Sequence, residues 1–538
     1  MNKSSIMRKI KYSLLFIPAF VLLTLAFCFR QDSGSGISKA VSDVLTKFHY
    51  EPKTINDKFS KELFHLYLKR LDSDKRFFLK EDIDSLMKYE SSLDDQIQQE
   101  NYDYFNKVNS MFLSKVSRAE KWYKEVLSTP FDFKTKENLV YDEEHPEYLK
   151  TESELKEFWR KNIKRQVLEK LASKLDIQEK AQIRKDTVIK IKPYDSLEID
   201  ARKEVLKTHN EWFGRIRKLD ARDKISMYIN CMTEIFDPHT NYFPPADKAN
   251  FDIRMSGKLE GIGASLQEKD GFLKVAAIVP GSPSYKQGQL KAGDIILKVA
   301  QGAAEPVDVT NMKIDDAIQL IRGKKGTEVR LTIRKPDESI VIIPIIRDVV
   351  EMEESYAKSA VVNFEGQKYG YIYLPSFYLD MNDNNGRSCS KDIAIEIQKL
   401  KEDNVKGIVL DLRNNGGGSL GDVVEIGGLF IKRGPMTMVK ARDRKPEILG
   451  ENDNVAMWDG PLTIMVNENS ASASEILAAA MQDYKRALII GTPTFGKGTV
   501  QRFIDLDEIY NNQDETKMGS LKITIQKFYR INGTTTQL

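Results

Sequence analysis

Within residues 462–501 the chain collects three residue types that together can cut an acyl bond. They are serines at 470, 472 and 474, a lysine at 497 flanked by glycines, and a glutamine at 501. A serine hydroxyl becomes a nucleophile only beside a base. All five histidines (His49, His65, His145, His209 and His239) precede residue 240, so a Ser–His arrangement would need one to reach in from the N-terminal half. Lys497 stands in the otherwise uncharged stretch 491–498, and burial of an ammonium lowers its pKa into the range of a usable base. A Ser–Lys pair is therefore favoured. Backbone N–H groups left unsatisfied at a helix N-terminus would hold the oxyanion.

The flanking pattern supplies elements to present these groups. Residues 462–466 read as a buried strand, 469–473 as a small-residue turn, 474–484 as a helix and 487–490 as a second strand. A Gly-rich loop, 494–499, follows. A rival reading takes Gly491-Thr-Pro-Thr-Phe-Gly496-Lys497 as a phosphate-binding loop. It fails on Gly498, which stands where a Mg²⁺-ligating hydroxyl is required. Pro493 and the β-like residues after the loop also argue against a helix starting at the lysine.

Ser470-Ala-Ser-Ala-Ser-Glu475, Gln482-Asp483, Phe495-Gly-Lys-Gly498 and Gln501 together resemble the C-terminal processing peptidases, or tail-specific proteases. The resemblance extends over roughly residues 235–538. In that family a serine, a lysine 25 positions later and a glutamine four beyond it form the catalytic group, a spacing that selects Ser472, Lys497 and Gln501. Gln501 would orient Lys497 by a hydrogen bond, because an even separation along a strand puts both on one face. The cluster Asp411-Leu-Arg-Asn-Asn-Gly-Gly-Gly418 by itself reads as a tight strand-to-helix turn. The resemblance implies that Gly418, with Gly417 the second choice, contributes an N–H to an oxyanion hole shared with Ala473. Gly416 stands where many members have proline, a change that a backbone role tolerates. Asp483 lies about 16 Å along the helix from the nucleophile; it reads as a structural partner of Lys485 or Arg486.

Upstream, Leu259-Glu-Gly261-Ile262-Gly263-Ala264 resembles the carboxylate-binding loop of a PDZ domain. The segments 277–284 and 290–294, a strand at 294–299 and a helix at 314–322 continue the likeness. Successive N–H groups of such a turn bind a terminal carboxylate while the peptide adds as a strand. Asp237-Pro-His-Thr-Asn-Tyr242 is similar to the segment that precedes the PDZ domain in these peptidases. His239 within it reads as part of a turn held by Asp237 and Pro238.

Four regions result. Residues 1–30 hold Lys3, Arg8, Lys9 and Lys11 ahead of an apolar run, the pattern of a signal peptide or membrane anchor. Leu25-Ala-Phe-Cys28 faintly resembles a lipoprotein signal, although Phe27 fits it poorly. Either form would place the rest in the bacterial periplasm or on the outer side of the inner membrane, with N-terminal membrane contact. Residues 39–250 are helical and rich in Lys and Glu. Their clearest helix starts near 153 with capping-box spacing at Thr151 and Glu154. Leu155, Phe158, Trp159, Ile163, Val167, Leu168, Leu171 and Leu175 form its apolar stripe, a packing face that would also suit self-association or an adaptor protein. Residues 251–347 are the expected PDZ domain. Residues 348–538 alternate strands (369–374, 407–412) with helices (391–401, 421–431), the pattern of an α/β core.

The chain of 538 residues is 30% charged and 41% hydrophobic with net charge +3, an ordinary soluble composition. No basic patch interleaved with aromatics suggests nucleic acid. Cys231 and Cys389, the two cysteines beyond residue 30, are too few for a disulfide framework. Without HExxH or ligand-like spacing, neither metal nor cofactor is expected. The sequence thus implies a multidomain serine endopeptidase that binds apolar C-terminal tails of proteins through its PDZ domain and cuts near their C-termini. The alternative is a non-catalytic PDZ scaffold on a dead protease fold; the presence of all three catalytic residue types at the family spacing weighs against it.

Overall fold

Helical periodicity governs the N-terminal third. In the computed structural model the described residues are 36–139, 146–269, 271–380, 383, 386–451, 455–510 and 517–538. The charged and apolar N-terminal stretch, Cys28 and His145 lie outside them. The chain divides into two compact units, one of residues up to 46 with 54–235, the other of 47–53 with 236–538.

The first unit is built from helices α1 (Ile37–Phe48), α2 (Asp57–Leu71), α3 (Lys80–Leu86), α4 (Leu93–Gln98), α5 (Asp103–Leu127), α6 (Glu152–Arg184), α7 (Tyr194–Arg217) and α8 (Ala221–Phe236). The capping box at α6 forms as expected: Glu154 N–H donates to Thr151 Oγ1 (3.2 Å) and Thr151 N–H to Glu154 Oε2 (3.0 Å). Leu155, Trp159, Ile163, Val167 and Leu171 of the stripe are buried, whereas Leu168 and Leu175 remain 46% and 39% exposed. Trp159 packs with Phe213 and with His209, which stacks on Tyr123 in an aromatic core. Burial pushes the His209 pKa down to about 4, so it is neutral there.

The second unit opens with β1 (Asn241–Phe243) and α9 (Pro245–Ser256). Strands β2 (Lys258–Gly261), β3 (Ala264–Lys269), β4 (Phe272–Ile278), β5 (Ile295–Gln301), β6 (Val307–Asp308), β7 (Glu328–Arg334), β8 (Ile340–Ile346) and β9 (Asp348–Glu351) follow, with helices α10 (Pro283–Gln287) and α11 (Ile314–Ile321). The sheet order β3-β4-β5-β7-β8, with β6 on β5, leaves β3 at an end. Val275, Ile296, Val329, Leu331 and Ile343 form the core of this PDZ domain. Beyond it come β10 (Lys358–Phe364), β11 (Gln367–Tyr373), α12 (Cys389–Glu402), β12 (Ile408–Asp411), α13 (Leu420–Phe430), β13 (Gly434–Ala441) and β14 (Glu447–Glu451). The last elements are β15 (Leu462–Val466), α14 (Ala473–Asp483), β16 (Leu488–Gly491), β17 (Thr499–Asp505), α15 (Leu506–Tyr510) and β18 (Ser520–Tyr529). One sheet runs β10-β11-β12-β15-β16, parallel from β11 onward; a second runs β1-β18-β13-β14, with β17 on β18.

Backbone N–H and C=O groups need partners, and pairing ties residues near two expected boundaries to their neighbours. The first unit ends at 235, because β1 pairs with β18 (Tyr242 opposite Leu521) and so belongs with the second unit. Beyond 347, β9 pairs with β2 (Gly261 opposite Asp348) in a two-stranded sheet. Residues 47–53 likewise join the second unit, where Tyr50 N–H donates to the Thr524 carbonyl at 2.8 Å.

Parallel strands covered on both faces need apolar residues throughout. Ile372, Leu410 and Ile464 are fully buried, and Ile464 lies on β15 between β12 and β16. Ile464→Ala should destabilise the parallel-sheet core by about 2–5 kcal/mol, read as a lowered denaturant midpoint for that region with the helical unit's transition unchanged.

Candidate active site

In parallel sheets, functional groups gather beyond the carboxyl ends of the strands. Here the chain leaves β12 through residues 412–418 and leaves β15 through 467–472, and Asn415 ties these ends together. Its Nδ2 donates to the Leu374 carbonyl (2.9 Å) and its Oδ1 accepts from Gly417 N–H (2.9 Å). Its own carbonyl accepts from Ala471 N–H (3.0 Å) and from Ser474 Oγ (2.8 Å).

This frame separates the three serines. Ser470 and Ser474 are both 0% exposed. Their hydroxyls serve the backbone, Ser470 donating to the Leu412 carbonyl at 2.9 Å. Ser472 instead lines a cavity of about 690 Å³. It sits at the N-cap of α14 with φ 56° and ψ −111°, a left-handed backbone that non-glycine residues seldom adopt and that marks functional turns.

The turn is held by Glu475. This carboxylate, 2% exposed, accepts from Ser472 N–H at 2.7 Å. It also accepts from Gly496 N–H (2.8 Å), Lys497 N–H (3.0 Å) and Thr494 Oγ1 (2.8 Å). One buried side chain thus binds the backbone of the candidate nucleophile to that of the candidate base. Phe495 N–H adds a bond to the Ser470 carbonyl at 3.0 Å.

The glycine cluster closes against the same turn. A Cβ on Gly417 would lie 2.9 Å from Ser472 Cβ, and one on Gly418 only 2.1 Å from the Phe377 carbonyl oxygen. Gly418 has φ 147°, so both space and conformation demand glycine there. Among the described residues the N–H groups of Gly418 and Ala473 meet no protein acceptor, whereas that of Gly417 is taken by Asn415. Gly418, Ala473 and Ser472 line one cavity, the arrangement of an oxyanion hole.

Lys497 lines it as well, half-buried. Burial, aided by the nearby Lys522, brings its pKa down to about 8, while Asp237 and Glu475 pull the other way. Among the described residues no hydrogen bond joins Lys497 Nζ to Ser472 Oγ; such bonds commonly tighten only with substrate in place. Gln501 lines the cavity too, but the expected bond to Lys497 is absent. Its Nε2 donates to Thr499 Oγ1 (2.9 Å) and Thr524 Oγ1 (3.0 Å). The strand-parity argument fails because Lys497 precedes β17, so the two residues do not share one strand.

Other walls come from outside the parallel sheet. Met255 and Phe251 of α9, Leu379, Leu420, Ile476 and Phe528 give an apolar side. Asp483, expected to meet Lys485 or Arg486, is paired with Arg530 (3.1 Å). Arg486 donates to the carbonyls of Phe430 and Trp458.

The expected carboxylate loop lies on the PDZ domain and is shorter than the sequence suggests. Gly261 and Ala264 are strand residues of β2 and β3, leaving Ile262 and Gly263 as the turn. Gly263 has φ 72°, and a Cβ there would strike Ser282 at 2.1 Å. Their carbonyls are engaged by Ser284 N–H and by Val279 N–H with Ser282 Oγ. Among the described residues the N–H groups of Ile262 and Gly263 have no acceptor.

Residues 41–246 match the tail specific protease N-terminal domain, 251–334 a PDZ domain and 368–538 peptidase family S41. A tail-specific protease of Haemophilus influenzae is 33% identical over 93% of this chain and 68% of its own. This chain belongs to the tail-specific, C-terminal processing protease family. The carboxy-terminal processing protease CtpA of Bacillus subtilis is 31% identical over 55% of this chain and 58% of its own. Among solved structures, the PDZ domain of a carboxy-terminal protease from Vibrio cholerae in complex with peptide is 38% identical over 18% of this chain and 98% of that one, at TM-score 0.17. The chain therefore spans between about half and two thirds of the length of these full-length relatives. By family membership it is a serine-type protease.

Several site residues of this tail-specific protease escaped the sequence reading. Glu475 had a legible signal, since Ser472-x-x-Glu475 is itself capping-box spacing. Asn415 and Asp237 stand in segments that the sequence marks only as turns, and Lys522 had no signal, because nothing local marks a residue that acts across the fold. Glu475→Gln turns one acceptor oxygen into an NH₂ facing N–H donors. It should cost about 1–3 kcal/mol of stability and lower peptide hydrolysis by at least about 100-fold, checked by thermal melting and steady-state kinetics on the same preparation.

Proposed function

We propose that this protease captures the free C-terminus of an apolar protein tail at its PDZ loop and cuts the chain with a Ser472–Lys497 dyad. The observation that carries the reading is the meeting, at one cavity, of Ser472, two N–H groups lacking a protein acceptor and a lysine with pKa about 8. Neutral Lys497 Nζ takes the Ser472 proton as Oγ attacks the scissile carbonyl carbon. The resulting oxyanion accepts from Gly418 and Ala473 N–H. Collapse breaks the C–N bond, and the Lys497 ammonium returns its proton to the departing amine. Lys497 then deprotonates water, which hydrolyses the serine ester. The apolar wall of Leu420, Ile476 and Phe528 suits an apolar substrate side chain beside the scissile bond.

The tail's carboxylate would meet Ile262 and Gly263 N–H, with its last residues adding alongside β3, the end strand of the PDZ sheet. Export, to the periplasm or the outer side of the inner membrane, rests on the basic and apolar first thirty residues. Among the described residues no helix is long and apolar enough to cross a membrane.

A lysine must lose its proton to act as base, so activity should rise with pH. With a pKa near 8, the neutral fraction is roughly a tenth at pH 7 and nine tenths at pH 9. The rate constant kcat should accordingly climb about tenfold over that interval and then level off. Lys497→Arg should lose at least about 1000-fold, because guanidinium holds its proton, and Ser472→Ala should cut nothing. A flat profile, or an active Lys497→Arg, would remove Lys497 as the base. Amidating the C-terminus of an apolar-tailed peptide should weaken its binding about tenfold or more by removing the charge that the PDZ loop receives. Titration of the acid and amide forms against Ser472→Ala measures this, and equal affinities would exclude the tail-capture part.

A further inference from the structure

Gln501 faces the cavity beside the candidate base, and a primary amide can face a lysine in two ways. Its carbonyl oxygen would accept from Nζ and aim the nitrogen lone pair elsewhere; its NH₂ would oppose Nζ with another donor. The surroundings decide between them. Both Nε2 hydrogens go to hydroxyls, of Thr499 (2.9 Å) and Thr524 (3.0 Å), which leaves Oε1 for the cavity.

The hydroxyls must themselves be held in place. For Thr524 the anchor is Asp237. Its Oδ2 accepts from Thr240 Oγ1 at 2.6 Å and is bonded to His49 Nε2 at 2.6 Å. Its Oδ1 accepts from the N–H groups of His239 (2.6 Å) and Thr240 (3.1 Å). Burial opposes ionisation of this carboxyl, but the bonds from His49, Thr240 and His239 outweigh it and hold its pKa below the usual range. An ionised carboxylate only accepts, so the Thr240 hydrogen is committed to it. The Thr240 oxygen then receives Thr524 N–H (3.2 Å) and faces Thr524 Oγ1 at 3.5 Å. Thr524 is thereby held beside Gln501, whose Nε2 donates to its hydroxyl oxygen.

We infer that Asp237 is a positioning residue for catalysis, acting through Thr240 and Thr524 to fix the Gln501 amide with its carbonyl oxygen toward Lys497. The catalytic cavity is thereby tied to residues at the opposite end of the chain, with His49 and Asp237 188 residues apart and Thr240 and Thr524 284 apart. The inference rests on the Ser472–Lys497 reading.

The test compares Thr240→Val and Thr524→Val, which remove a hydroxyl at nearly constant shape, with Thr240→Ser and Thr524→Ser, which keep it. Kinetics use the full chain and a peptide ending in apolar residues. Each valine variant should lose about 10- to 100-fold in kcat with KM within about twofold, and each serine variant should stay within about threefold of the original. Asp237→Asn, which replaces an acceptor oxygen of the anchor with an NH₂ at constant size, should fall with the valines and covers the case in which a valine variant does not fold. Folded valine or asparagine variants with undiminished kcat would overturn the inference. So would serine variants as impaired as the valines, or losses confined to KM. An original protein no more active than Ser472→Ala would instead bring down the Ser–Lys reading and this inference with it.

Discussion

The geometry of the site depends on one buried carboxylate. Glu475 accepts four hydrogen bonds from donors on two loops, the turn that carries Ser472 and the loop that carries Lys497. A buried charge is tolerable only when fully hydrogen-bonded, and here the requirement works in both directions. The carboxylate needs all its donors, and the donors, three backbone N–H groups and the Thr494 hydroxyl, have no other acceptor among the described residues. The left-handed backbone at Ser472 persists because its own N–H is held this way while Gly417 packs against its other side. Conformational strain at a nucleophile survives only where the surroundings over-determine it.

Around this clamp the two sheets divide the work. The parallel sheet supplies Ser472 and the glycine cluster from adjacent strand ends, so the proposed oxyanion donors and the proposed nucleophile share one rigid edge. The second sheet supplies Gln501 from β17 and Lys522 from β18, with Lys497 in the loop just before β17. Positive groups collect on that side: burial lowers the pKa of both Lys497 and Lys522, and the Lys522 charge lowers that of Lys497 further. The cost of placing two lysines there is balanced by Asp237 and Glu475, which keep Lys497 near 8 rather than lower.

The PDZ domain is joined to the cavity by α9. Arg322, at the end of the PDZ helix, donates to Asn250 of α9 at 2.6 Å, and Leu379 N–H donates to the Met255 carbonyl at 3.0 Å. Met255 and Phe251 are cavity walls, so one helix touches both the PDZ domain and the cavity that Ser472 lines. Phe251 also packs against Phe503 of β17 with ring centroids 4.7 Å apart, which seats that wall on the strand carrying Gln501.

Much of this was legible in the sequence. Strand β15, the turn after it and the helix beyond appear in the apolar run 462–466 and the small residues that follow, because burial and chain reversal leave strong local marks. The spacing of Ser472, Lys497 and Gln501 named the same three residues that the fold brings to one cavity. Tertiary structure alone decided that Ser470 and Ser474 are spent on backbone carbonyls, that β1 belongs with β18, and that Asp483 pairs with Arg530 instead of a helix neighbour. It also decided that Gln501 Nε2 is spent on Thr499 and Thr524, since Lys497 stands before β17 and outside the alternation on which the expected contact depended. The physical reason is common to all of these. Hydrophobic periodicity and turn chemistry are properties of neighbouring residues, whereas a hydrogen bond such as that between Thr240 and Thr524 exists only after the strands bearing them have found each other.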